Sequence, residues 1–181
     1  SKIDALSNIL DGKRYKVIGT QWNSEDTFDN NVATLIDQIN SVSDQFDDIV
    51  IIGCSLGGFY ARYIACKLNC YAVLINPVVE PLIQMEPLIG SFKNYVTGNK
   101  YEFTDKLLQS YAAGLVKDTC NCLTYVSRTD KILPNNISFI YFYQQLYGKI
   151  IETETEHRVD DYSQLPNFAE EINTLVNTLA G

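Results

Sequence analysis

Two side chains in the stretch IIGCSLGGFY could attack an electrophilic carbon, the thiol of Cys54 and the hydroxyl of Ser55. The run Gly53-Cys54-Ser55-Leu56-Gly57 is a G-x-S-x-G pattern. An apolar run leads into it and a helical pattern leaves it, the strand–turn–helix setting of a nucleophile elbow. Such a turn holds its central residue in a strained conformation with the side chain above the sheet edge. That assigns the attack to Ser55 and leaves Cys54 packed in the strand end. Gly53 and Gly57 are expected because a Cβ at either would collide with neighbouring backbone. Leu56, the residue after the nucleophile, is expected to offer its backbone N–H to a developing oxyanion.

A serine hydroxyl needs a base, and the base needs an acid to orient it. The chain has one histidine, His157 in ETETEHRVDDY, so any serine–histidine chemistry uses this residue. The chain order of an elbow-type site is Ser, then Asp or Glu, then His, and His157 obeys it. Asp130, in SRTDKILP just past the apolar run CLTYVS, is the candidate acid. The competing carboxylates are Asp118, which precedes that run, and Glu156, Asp160 and Asp161, which flank His157 and read as loop solvation.

These residues must be positioned by alternating elements. Helices are expected at Lys2–Leu10, Val32–Phe46, Gly57–Leu68, Ile137–Tyr147 and Pro166–Leu179, from apolar residues at helical spacing. Strands are expected at Tyr15–Thr20, Asp48–Gly53, Tyr71–Asn76, Cys122–Ser127 and Lys149–Thr153. Continuous apolar runs such as YAVLIN are typical of parallel strands buried on both faces. The alternation predicts an α/β fold, a three-layer α/β/α sandwich on a mostly parallel sheet, in one domain over residues 1–181. Residues 78–120 break the rhythm and read as an excursion between two core strands, a candidate cap over a pocket.

Composition narrows the function further. Hydrophobic residues make up 46% and charged ones 20%, a globular balance. A net charge of −8 argues against nucleic acid, which demands a Lys/Arg field. No apolar run approaches the roughly 20 residues of a membrane span. The opening SKIDALSNIL is amphipathic rather than the apolar core of a signal peptide. Five cysteines, an odd number, suggest a reducing compartment and a cytoplasmic protein rather than a disulfide framework. Cys66 with Cys70, and Cys120 with Cys122, share faces, but their spacings differ from a C-x2-C zinc knuckle. No metal site is expected, and small buried thiols are the simpler reading.

The elbow IIGCSLGGFYA, followed by LINPVVEP and NYVTGNKYEF, resembles the YqiA-like esterases, a small branch of the α/β-hydrolase fold. The resemblance runs from Ser1 to the C-terminal helix. It implies esterase or thioesterase activity on acyl esters, with no cofactor, and its catalytic residues fall on Ser55, Asp130 and His157. Tyr95, Tyr101 and Phe103 are expected to line the acyl pocket. Members of that family begin with a buried strand ending in a His-Gly-Phe-type loop that supplies a second oxyanion N–H. No His-Gly precedes the first helix of this chain, so roughly 10–20 further N-terminal residues are expected in the native protein. Two other readings stay open: a non-catalytic scaffold on the same fold, and acyl transfer to an acceptor other than water. The oligomeric state is not legible.

Overall fold

The computed structural model describes residues 2–93, 98–115 and 117–177. In chain order the elements are α1 (Lys2–Ile9), α2 (Phe28–Ser43), β1 (Val50–Cys54), α3 (Leu56–Leu68), β2 (Tyr71–Ile75) and α4 (Pro81–Gln84). A hairpin of β3 (Gly90–Lys93) and β4 (Lys100–Phe103) follows, then α5 (Asp105–Ser110) and β5 (Asn121–Ser127). The chain continues through α6 (Asn136–Phe142), α7 (Gln144–Tyr147), β6 (Lys149–Thr153) and α8 (Phe168–Asn177).

Four strands form one parallel sheet in the order β1-β2-β5-β6. Strand period two divides their side chains between two faces. Val73, Ile75, Leu123 and Tyr125 pack on one side with Leu6 of α1 and Phe168 and Ile172 of α8. Ala72, Leu74, Cys122 and Val126 pack on the other with Ala61 and Ala65 of α3, Ile140 and Leu146. The small alanines of α3 let its backbone lie close on the sheet. Its outer side carries Phe59, Tyr60 and Tyr63, which meet Phe28, Val32 and Leu35 of α2 and Met85, Leu107 and Tyr111 of the excursion. A mostly parallel central sheet flanked by helices is therefore the architecture. No helix among the described residues is long and apolar enough to cross a membrane.

Several expectations need correction, among them the helix expected at Val32–Phe46, which begins at Phe28, where Thr27 caps its first turn, and ends at Ser43. Tyr15–Thr20 forms no strand: its residues are extended, but among the described residues β1 pairs only with β2, so no ladder holds them. Tyr15 and Val17 instead pack their side chains against the α1–α8 side of the core. The expected helix at 137–147 divides into α6 and α7 at Tyr143. Finally, a Cβ on Gly57 would meet nothing within 4 Å, whereas on Gly53 it would lie 2.1 Å from the Gly57 carbonyl oxygen. The second constrained glycine is Gly58, whose Cβ would come 2.7 Å from Pro77 Cβ. Helix α8 begins at Phe168, and Leu179 lies outside the described residues.

The glycine contrast makes a test. Gly53→Ala places a methyl against rigid backbone, an overpacking with no side chain to yield, and should cost about 3 kcal/mol or more. A melting midpoint lower by roughly 10 °C is expected for a chain of this size. Gly57→Ala meets open space and removes a helix-disfavouring glycine, worth up to about 1 kcal/mol. Its midpoint should stay level or rise; a fall equal to that of Gly53→Ala would refute the geometry.

Candidate active site

The parallel register carries the ends of β1, β5 and β6 to one edge of the sheet. Ser55 follows β1 directly, with φ 55° and ψ −125°, a backbone conformation rare for a residue with a Cβ. The strain is held by neighbours rather than relieved. The Ser55 N–H donates to the Ile75 carbonyl at 3.0 Å, and its own carbonyl accepts from the N–H groups of Gly58 at 2.9 Å and Val78 at 3.0 Å. Both ends of the peptide are thus pinned, and the side chain caps no helix N–H. It projects from the turn instead.

Asp130 lies three residues past β5, buried, with its Oδ1 accepting from the backbone N–H groups of Ile132 at 2.8 Å and Leu133 at 2.9 Å. Those two bonds orient the carboxylate and leave Oδ2 for His157 Nδ1, 2.7 Å away. A carboxylate oxygen only accepts, so the imidazole proton sits on Nδ1 and Nε2 is the acceptor. Ser55 Oγ lies 2.9 Å from Nε2 and donates to it. Elbow serine, imidazole and buried carboxylate form one continuous hydrogen-bond relay. Of the rival carboxylates, Asp160 pairs with Arg158 and Asp161 accepts from Ser163, and His157 Nδ1 meets Asp130 rather than Asp118 or Glu156.

Reaching Ser55 is not trivial for His157, because β6 and β1 are the two edge strands, separated by β5 and β2. At about 4.8 Å per strand spacing, the loop after β6 spans roughly 14 Å. Asn76, directly after β2, bridges that gap. Its Nδ2 donates to the carbonyls of Glu156 at 3.1 Å and His157 at 3.0 Å, and its Oδ1 accepts from the Ser127 N–H at 2.7 Å. It is buried and adopts φ 43°, a left-handed conformation that asparagine tolerates better than most residues. Sequence reasoning missed this residue; the only hint is a polar residue closing the apolar run YAVLI just before Pro77.

Leu56 opens α3, and the first N–H groups of a helix have no intrahelical acceptor. Cys54 ends β1 and is partly buried, its thiol pushed up from its ordinary pKa, chiefly by burial. It contacts the His157 carbonyl, Sγ to O 3.8 Å, rather than the imidazole.

Beside Leu56 lies an apolar cavity of about 160 Å³, whose wall includes Tyr101 and Phe103 together with Trp22, Met85 and Phe92. Tyr95, also expected there, lies outside the described residues. Trp22 was not foreseen. Its loop is tied to α2 by paired bonds between Gln21 and Gln38, and its ring packs 5.2 Å from that of Tyr60. A larger cleft of about 280 Å³, lined by Ile9, Tyr162, Leu165 and Phe168, shares no residue with the Ser55 site. It is shallow and lies on the α1–α8 side, whereas the smaller cavity borders Leu56, the residue after Ser55.

A parallel sheet with an elbow serine at its carboxyl edge defines the α/β-hydrolase fold, and solved structures agree with it. Est1E from Butyrivibrio proteoclasticus is 17% identical with a TM-score of 0.62, over 84% of this chain and 72% of its own. A pyrethroid hydrolase from Sphingobium faniae JZ-2 is 12% identical with a TM-score of 0.62, over 99% and 93%. The mouse α/β-hydrolase domain-containing protein 10 is 15% identical with a TM-score of 0.59, over 91% and 76%. The chain itself belongs to Uncharacterised protein family UPF0227, the YqiA-like family, whose model matches residues 2–176.

Proposed function

We propose that this protein is a serine hydrolase acting on acyl esters or thioesters. The observation that carries the reading is the relay from Ser55 Oγ to His157 Nε2 and from His157 Nδ1 to Asp130 Oδ2, at 2.9 and 2.7 Å. Ser55 Oγ attacks the acyl carbonyl while His157 takes its proton, and the carbonyl oxygen becomes an oxyanion beside the Leu56 N–H. His157 then passes that proton to the leaving alcohol or thiol as the C–O or C–S bond breaks, leaving an acyl group on Ser55. Water, deprotonated by His157, repeats the attack and releases the acid. Asp130 keeps the imidazole proton on Nδ1 and stabilises the imidazolium. The 78–120 excursion, in one domain with the rest, walls the acyl cavity with Met85, Tyr101 and Phe103.

A fluorophosphonate probe tests the reading. It should form a covalent adduct, and peptide mass spectrometry should map that adduct to Ser55. A folded protein with no adduct between pH 6 and 9 would sink the proposal and favour a binding role on the same fold. Cys54 provides a control, since its thiol is partly buried and its pKa is pushed up, which keeps it protonated at neutral pH. Cys54→Ala should label within about threefold of the unsubstituted rate, whereas a nucleophile lost would cost several orders of magnitude.

A further inference from the structure

We infer that the cavity beside Ser55 takes a short acyl group bearing a hydrogen-bond acceptor, such as a ketone or ether oxygen, and that the Tyr111 hydroxyl recognises that acceptor. This deepens the reading of Ser55 as an acyl-accepting nucleophile and rests on it. Most of the cavity wall is hydrocarbon and aromatic ring, from Trp22, Leu56, Met85, Leu88 and Phe103, and Tyr111 also lines it. At the roughly 30 Å³ that one water takes in the liquid, its volume of about 160 Å³ holds about five groups of that size beyond the carbonyl. A 4-oxopentanoyl group has that size.

The polar element is a directional chain. Asn31 Oδ1 accepts from the Asn23 N–H at 2.9 Å, and Nδ2 donates to the Asn23 carbonyl at 2.8 Å, which fixes which way the amide points. Nδ2 therefore also faces the Tyr60 hydroxyl, 3.3 Å away, and donates to it. Tyr60 in turn lies 3.2 Å from the Tyr111 hydroxyl. Tyr60 is only 2% exposed and packed in the core, so its hydrogen has Tyr111 as its acceptor; the reverse direction would strand it. With its oxygen occupied by Tyr60, Tyr111 keeps its own O–H unspent among the described residues. Once hydrocarbon fills the cavity and displaces water, that O–H has no partner among the described residues.

Burial, the largest cause for each phenol, raises both above the ordinary tyrosine range, so both remain protonated donors. The cavity's other hydroxyls, Ser24 and Tyr101, are only partly buried and have solvent as a partner. A buried donor in an apolar pocket favours a ligand oxygen placed to meet it. It disfavours the hydrocarbon isostere, which leaves the donor unmet.

Trp22 is the chain's single tryptophan and lines the cavity, so its emission reports occupancy without turnover. Ser55→Ala protein would be titrated with methyl 4-oxopentanoate and with its hydrocarbon isostere, methyl 4-methylpentanoate. The oxo ester should bind at least as tightly as the isostere. Adding Tyr111→Phe should weaken it about tenfold relative to the isostere, the loss of one buried hydrogen bond. If the oxo ester binds about tenfold more weakly in both backgrounds, the pocket is purely apolar and the inference is overturned. It is overturned equally if neither ester alters Trp22 emission. Should Tyr111→Phe not fold, the ratio in Ser55→Ala alone decides. The fluorophosphonate adduct on unsubstituted protein reads the nucleophile separately, so the two proposals fail independently.

Discussion

Ser55→Ala is expected to lower kcat/KM for p-nitrophenyl butyrate by about 10⁴- to 10⁶-fold while leaving the protein folded. The magnitude follows from what is removed. Without Oγ there is no acyl-enzyme, and water must attack directly without the positioning that the strained elbow provides. On the proposed mechanism, what survives is transition-state binding by the Leu56 N–H and the cavity, which alone would retain modest catalysis over solution. The fold should survive because the bonds that pin the turn are made by backbone groups, from the Ser55 N–H to Ile75 and to its carbonyl from Gly58 and Val78. Relief of a φ of 55° is not expected, since alanine carries the same Cβ. The assay pairs initial rates with circular dichroism. Retention of more than about 1% of the rate in a folded variant would remove Ser55 from the chemistry.

Asn76→Ala should be the most damaging change outside the relay. It strips the acceptor from the buried Ser127 N–H and the donors from the partly buried Glu156 and His157 carbonyls. The orphaned buried Ser127 N–H costs about 1–3 kcal/mol, the two partly exposed carbonyls less, and alanine at φ 43° adds about 1 more. Allowing for relaxation, a loss of about 3–5 kcal/mol and a melting midpoint lower by roughly 10 °C are expected. Activity should fall further than unfolding explains, by about 10²-fold at temperatures where the variant is folded. The loop bearing His157 would no longer hold Nε2 at Ser55, and misplacement by an ångström has that effect. Asn76→Asp separates the two roles: it keeps an acceptor for Ser127 but turns a carboxylate oxygen toward two carbonyls. It should lose activity even where the sheet edge survives. Full activity in Asn76→Ala would show that the His157 loop stands without its anchor.

Much of the fold was readable because its signals are local. Continuous apolar runs marked β1, β2, β5 and β6 to within two residues at each end, and β6 was placed at Lys149–Thr153 directly. Tyr15–Thr20 shows the boundary of that method. An apolar alternation specifies an extended chain, but a strand exists only where a second strand accepts its ladder, and none among the described residues does. Gly57 shows it too: a motif implies that a glycine is required, but only the path of the neighbouring backbone tells which one. The excursion carried enough aromatic residues to suggest a pocket, and Tyr101 and Phe103 lie in its wall; Trp22 joins them from a loop some 80 residues away in sequence.

By itself the sequence determined which residues could do chemistry. One elbow pattern selects Ser55 over Cys54, one histidine leaves one base, and chain order points to Asp130. The alternating elements also required a parallel sheet with those three residues beyond its strand ends. Only the tertiary structure decided how they meet. That β6 lies at the far edge from β1, that Asn76 bridges the span, and that an Asn31–Tyr60–Tyr111 chain ends at the cavity depend on groups distant along the chain. Periodicity records whether a residue faces core or solvent; it carries no record of which distant partner it meets there, and hydrogen bonds between such partners are what place a site to within an ångström.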